Sequence, residues 1–157
     1  MTDSSGNAYD LVVAQARALV EGESDSVAVA ANLSALIYSS LDDVNWAGFY
    51  FYKNEELLVG PFQGLPACVH IPIGQGVCGT AAAERRSLVV EDVHAFDGHI
   101  ACDPASASEV VVPLVDGDTL LGVIDVDSPK LSRFGDAERR LLERIATIYV
   151  AATSESL

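Results

Sequence analysis

Glu109-Val-Val-Val-Pro-Leu-Val115, the turn Asp116-Gly-Asp118 and Thr119-Leu-Leu-Gly-Val-Ile-Asp-Val-Asp127 read as two apolar strands joined by a tight turn. A hairpin of this length commits the chain to an antiparallel sheet, and a sheet with an apolar face must be covered by another layer. The flanking segments supply that layer. Leu11, Val12, Ala14, Ala16, Leu19 and Val20 predict a first helix that stops at Gly22. Ser24 and Asp25 cap a second, which runs to about Leu41 with Val27, Ala30, Ala31, Leu33, Leu36, Ile37 and Tyr38 at helical spacing. Asn45 to Tyr52 is aromatic and strand-like and turns through Lys53-Asn-Glu-Glu56 into Leu57-Leu-Val59, a second hairpin. A short strand over Ala67–Ile71, a short helix over Gly79–Arg86 and a strand at Leu88–Val90 follow. Phe134-Gly-Asp136 opens a closing helix with Leu141, Leu142, Ile145, Ile148 and Tyr149 on one side. Helices, a run of hairpin-linked strands and a final helix make an α+β pattern.

At 157 residues, half of them hydrophobic, the chain can bury one sizeable core, so a single domain over 1–157 is expected, with about residues 1–8 as a flexible N-terminus. The formal charge of −14, with Lys53 and Lys130 the only lysines, opposes phosphate backbones and anionic lipid. Neither nucleic acid nor a membrane surface is therefore an expected partner. The acidic excess serves solubility, and would also suit a high-salt cytoplasm. No stretch approaches the roughly 18 to 20 apolar residues of a membrane span, and the N-terminus lacks the basic start and apolar centre of a signal peptide. The expected compartment is the reducing cytoplasm, where thiols persist.

Three cysteines, Cys68, Cys78 and Cys102, are an odd count that argues against a structural disulfide framework and leaves at least one thiol free to react. Cys102 stands in the turn-rich stretch 92–108, which has no periodicity yet holds His94, Phe96, His99 and Ile100. Loops that long inside compact domains are usually functional. Cys102 is thus a nucleophile, a metal ligand or a passenger. The metal reading is weak, because Cys68-x-His70 followed by Cys78 matches no common zinc framework, and no metal is expected. Gly74-Gln-Gly-Val-Cys-Gly79 matches G-x-G-x-x-G, but the hairpin-linked strands around it are not a parallel crossover, so a tight strand-to-helix turn is the better meaning. Trp46, Tyr50 and Tyr52 share one face of their strand, and Asp125 and Asp127 share one face of theirs. Two acids within Leu, Val and Ile must reach water, pair with a cation or be protonated.

Asn45-Trp-Ala-Gly-Phe-Tyr50, Gly60-Pro-Phe-Gln-Gly64, Ala67-Cys68, Gly76-Val-Cys-Gly-Thr80, Phe96-Asp-Gly-His-Ile-Ala-Cys-Asp103, Ser108-Glu109 and Gly122-Val-Ile-Asp-Val-Asp-Ser128 together resemble the free methionine-(R)-sulfoxide reductases, small enzymes of GAF fold. The likeness runs from about Tyr9 to Ala151. It implies a mainly antiparallel sheet of about six strands, with helices from both termini on one face and an active-site loop on the other. It also implies Cys102 as the attacking thiol and Cys68 and Cys78 as candidates to resolve it, Cys68 foremost. Glu109, Asp125 and Asp127 would be the substrate-site carboxylates, with Trp46 and Tyr50 as the wall around the methyl-sulfur end. The reaction implied is reduction of free L-methionine-(R)-S-oxide, through a sulfenic acid and a disulfide, with a thioredoxin-like dithiol as external reductant and no bound cofactor. A homodimer is plausible for a domain of this kind. The residue types suit the chemistry: a sulfoxide yields to a thiolate only if its oxygen receives a proton, and clustered acids raise one another's pKa toward the neutral form that can donate it. Which acid donates and which meets the substrate ammonium is open. The alternative from another class is a non-catalytic GAF domain that senses a small ligand or oxidation.

Overall fold

The computed structural model describes residues 4–100, 102 and 104–154. Its elements are α1 (Ser4–Val20), α2 (Ser26–Ser40), β1 (Trp46–Lys53), β2 (Glu56–Gly64), β3 (His70–Pro72), α3 (Gly76–Glu84), β4 (Leu88–Val90), a 3-10 turn (Val93–Ala95), β5 (Ser108–Asp116), β6 (Thr119–Ser128) and α4 (Asp136–Ser154). The strands form one sheet in the order β3-β2-β1-β6-β5-β4, and every neighbouring pair is antiparallel. The two hairpins thus lie side by side, joined where β1 pairs with β6.

Period-two alternation along β1 explains why both faces of the sheet are covered. Ala47, Phe49 and Phe51 point to the face packed by α1, α2 and α4, where Val13, Leu33, Ile37, Ile124, Leu142 and Ile145 are fully buried. Trp46 and Tyr50 point to the other face, into a second core with Leu57, Val77, Ala81, Val111 and Val123 under α3. Asp25 caps α2, its side chain accepting from Ala28 N at 2.9 Å. Glu138, in the first turn of α4, accepts from Gly135 N and from the Tyr9 hydroxyl, each at 2.7 Å, and so ties the two terminal helices together.

Four elements differ from the sequence expectation. β2 runs on from Val59 to Gly64 because β1 skips a register between Gly48 and Tyr50, and Gly60-Pro61 takes up the irregularity. Proline is tolerated there because a bulge leaves a backbone N–H unpaired in any case. α3 starts at Gly76, before the expected Gly79, and its strand partner is His70–Pro72 rather than Ala67–Ile71. Gly74 and Gly76 take positive φ (+89° and +65°), and Gly74 N donates to Gly79 O at 2.8 Å, closing the turn that launches the helix. The glycine motif is therefore a turn between an antiparallel edge strand and a short helix. α1 begins at Ser4, so of the expected flexible N-terminal stretch only residues 1–3 lie outside the described residues. Among the described residues no helix is long and apolar enough to cross a membrane.

Candidate active site

The cavity on the α3 face is built by strand register. Glu109 of β5 stands opposite Asp127 of β6, Asp125 follows two residues earlier on the same face, and β1 places Trp46 opposite Asp127 and Gly48 opposite Asp125. The pairing that makes the sheet thus brings three carboxyl groups and the Trp46–Tyr50 stack (5.7 Å between ring centroids) to one wall. Cys78 enters from α3, Pro66 and Ala67 from the segment after β2, and His99, Ile100, Cys102 and Ser106 from the loop above. Tyr52 shares the face but not the site: it pairs with Leu57 at the far end of β1 and is well exposed.

Burial dominates the electrostatics. Glu109 (8 % exposed) and Asp125 (5 % exposed) lie with Cys78 so that one ligating atom of each falls within 4.8 Å of the others. Burial, and then the charges of Asp125 and Asp127, push the Glu109 carboxyl well above the usual carboxylate range. Burial also raises Asp125, against hydrogen bonds with Glu109, Cys78 and Asp127 that favour its charged form. The Cys78 thiol, 3.8 Å from Glu109 Oε2 and donating to it, is pushed well up by burial and by the same acids. Burial and the neighbouring acids thus favour the thiol of Cys78 over the thiolate, the nucleophilic form. His99 is pushed down by burial and by His94, which favours the neutral ring. Asp125 Oδ1 is buried without a hydrogen-bond partner, a polar atom for a ligand to satisfy.

Cys68 and Cys102 are joined in a disulfide, with their Cα atoms 5.4 Å apart. The bridge ties the loop to the segment after β2, where Tyr50 Oη donates to Cys68 O at 3.2 Å. Asn45 Nδ2 donates to Ser106 Oγ at 3.2 Å and tethers the other end of the loop to the start of β1. In this bridged form the cavity is about 40 Å³, far below the roughly 300 Å³ of an ordinary ligand pocket.

All eight residues singled out from the sequence stand in this region: Trp46, Tyr50, Cys78, Cys102, Glu109, Asp125 and Asp127 line the cavity, and Cys68 is bonded to Cys102 behind it. Sequence reasoning passed over Gly48 and the pair Asn45 and Ser106. A Cβ on Gly48 would collide with Phe62 Cβ and lie 2.8 Å from Phe62 Cα, so glycine is what lets Phe62 stack on Trp46 at 5.1 Å. A glycine interrupting an aromatic strand was the available signal. Asn45 and Ser106 carried none, because their pairing spans 61 positions of sequence.

The curled six-stranded antiparallel sheet, helices on one face and a lidded pocket on the other, define a GAF domain, and a profile described as the GAF domain matches residues 25–153. The chain is 55 % identical over 141 residues to the protein YtsP of Bacillus subtilis, covering 88 % of this chain and 86 % of that one. It is 52 % identical over 128 residues to the free methionine-R-sulfoxide reductase of Escherichia coli, covering 82 % and 78 %. The solved structure of fRMsr of Staphylococcus aureus in complex with substrate superposes with a TM-score of 0.88 at 51 % identity, covering 92 % of this chain and 95 % of that one. Within the GAF domains, the chain belongs to the free methionine-R-sulfoxide reductase family.

Proposed function

We propose that the chain is an oxidoreductase that reduces free L-methionine-(R)-S-oxide to L-methionine, with Cys102 as nucleophile and Cys68 as the thiol that resolves it. The observation that carries this reading is the Cys68–Cys102 bridge, with the Cys102 end on the wall of a cavity whose other wall is the Glu109–Asp125–Asp127 cluster. Family membership supports the substrate, as does the relative whose structure contains its substrate.

The steps follow from the chain's own groups. With the bridge reduced, the Cys102 thiolate attacks the sulfoxide sulfur while a protonated carboxyl of the cluster, Glu109 foremost, gives its proton to the oxygen. Burial and the charges of Asp125 and Asp127 raise the Glu109 carboxyl, which favours the acid form that can give this proton. In the adduct the hydroxyl passes from the substrate sulfur to Cys102 Sγ as the new sulfur–sulfur bond breaks, which releases methionine and leaves Cys102 as a sulfenic acid. Cys68 then displaces that hydroxyl as water and forms the disulfide, so that one sulfoxide and two thiols become methionine, one disulfide and water. Trp46 and Tyr50 supply an apolar wall for the methyl-sulfur end. The ammonium of a free amino acid finds its counter-charge among the remaining acids. The disulfide is the product state, and its reduction by an external dithiol such as thioredoxin precedes the next turnover. The loop over the site favours a free amino acid over a residue within a protein chain.

The test is incubation with the separate R and S epimers of free methionine sulfoxide and with a peptide-embedded one, in dithiothreitol, followed by an assay of methionine. Product from the free R epimer alone is expected. No methionine from that epimer overturns the reading.

A further inference from the structure

The bridge poses a question the catalytic wall does not answer: where a protein reductant reaches it. From Leu57 to Ala83 the sequence holds no Asp, Glu, Lys or Arg, in a chain where one residue in five is charged and the net charge is −14. Within this uncharged stretch Cys68 is flanked by two side chains turned to solvent, Leu65 (64 % exposed) and Val69 (51 % exposed). Exposed apolar side chains close in sequence to a reactive group point to an interaction site more than singly scattered ones do.

The backbone beneath them is fixed. Trp46 Nε1 donates to Leu65 O at 3.1 Å, Tyr50 Oη to Cys68 O at 3.2 Å and Val59 N to Val69 O at 2.9 Å. The segment thus spends its carbonyls inward and presents its apolar side chains outward. The two sulfurs of the bridge are also not equivalent. Cys102 is one of the residues lining the cavity and Cys68 is not, although both are partly exposed.

We infer that Leu65, Cys68 and Val69, close together in sequence, form the docking surface for a protein dithiol, and that this reductant attacks Cys68 rather than Cys102. The inference rests on the disulfide being the oxidised state of the proposed reaction. The reductant's thiolate forms a bond to Cys68 Sγ, the Cys68–Cys102 bond breaks, and Cys102 leaves as the thiolate into the cavity, taking up a proton as its environment requires. The reductant's second thiol then attacks the mixed disulfide, freeing Cys68 and closing the reductant's own disulfide, so two electrons pass from one dithiol to one bridge. This order restores the nucleophile in the first step and holds the bulky partner outside the pocket. The segment around Cys68 carries no Asp, Glu, Lys or Arg, with the His70–Glu56 pair (2.6 Å) at its edge, and on a strongly acidic protein it suits a partner whose thiol sits in a mainly apolar surface. A partner steered by basic charge would find its complement elsewhere on this molecule.

The experiment compares Leu65→Glu, Val69→Glu and the double variant with the unaltered protein, using thioredoxin with its reductase in one arm and dithiothreitol in the other. Neither side chain lines the cavity, so turnover with dithiothreitol and KM for methionine sulfoxide are expected to stay unchanged. KM for thioredoxin is expected to rise about tenfold or more in the double variant, as for loss of an interface hot spot. A thioredoxin lacking its second cysteine should be trapped on Cys68, read by mass mapping of the oxidised protein without any turnover. An unchanged KM for thioredoxin, trapping on Cys102, or a change of oligomeric state in the double variant, which would make the patch a self-interface, each overturns the inference. Absence of turnover with dithiothreitol in the unaltered protein instead overturns the proposed reaction, and the trapping result still decides the docking surface.

Discussion

Replacing Glu109 with Gln should make the protein more stable and less active at the same time. Glu109, Asp125 and Cys78 each place an atom within 4.8 Å of the others. Two full negative charges at that separation repel by about 3 kcal/mol at an effective dielectric constant near 20, and desolvation adds to the cost. The cluster therefore keeps a proton on Glu109 at a pH where a free carboxyl has lost it. Below the ordinary carboxyl pKa of about 4.3 both folded and unfolded chains hold this proton, and it contributes no pH dependence. Above that value, up to the folded pKa, the folded chain binds one proton more than the unfolded chain. The free energy of unfolding then falls as pH rises, by about 1.4 kcal/mol per pH unit for this group. Glu109→Gln removes that slope. The variant should gain on the unaltered protein with every unit of pH, by about 2 to 4 °C in Tm per kcal/mol for a chain of this size. Its amide can donate a hydrogen bond but not a proton, so kcat should fall by about 10²- to 10⁴-fold, with kcat/KM falling in parallel. Thermal melts from pH 5 to 8, alongside dithiothreitol-driven turnover of the free R epimer, read both effects. Stability curves that stay parallel would refute the buried-proton argument. A rise in KM alone would assign Glu109 to binding rather than to proton transfer.

Cys102→Ser should abolish turnover even with dithiothreitol, because burial favours the thiol form of Cys78, which does not substitute. Cys68→Ser should keep one turnover per chain and recycle with dithiothreitol, but lose most of its rate with thioredoxin; burst measurements separate the two. Gly48→Ala forces a methyl group against Phe62 and should cost about 1 to 3 kcal/mol of stability. It should also raise KM, by shifting Phe62 off Trp46; denaturant unfolding and steady-state kinetics check it.

What the sequence determined by itself is the part of the protein governed by local periodicity and residue chemistry. Alternation placed Trp46 and Tyr50 on one face and Phe49 and Phe51 on the other, and the spacing of Asp125 and Asp127 put both acids on one side, because side chains on a strand alternate whatever the strand packs against. The hairpins, the helices at the two ends and the role of the glycine motif as a turn were legible for the same reason. Tertiary structure decided what depends on pairing between distant segments. Only the antiparallel register of β5 with β6 sets Glu109 against Asp127, and only the fold of the loop across the sheet brings Cys102 within bonding distance of Cys68, 34 positions away. The extension of β2 through Pro61 was likewise hidden, since a proline is read locally as a strand breaker and is tolerable here because its own strand bulges, Gly60 and Pro61 standing opposite Phe49 alone. Local rules see one strand at a time, whereas the depth of burial that raises Glu109 and Cys78 is a property of everything packed around them.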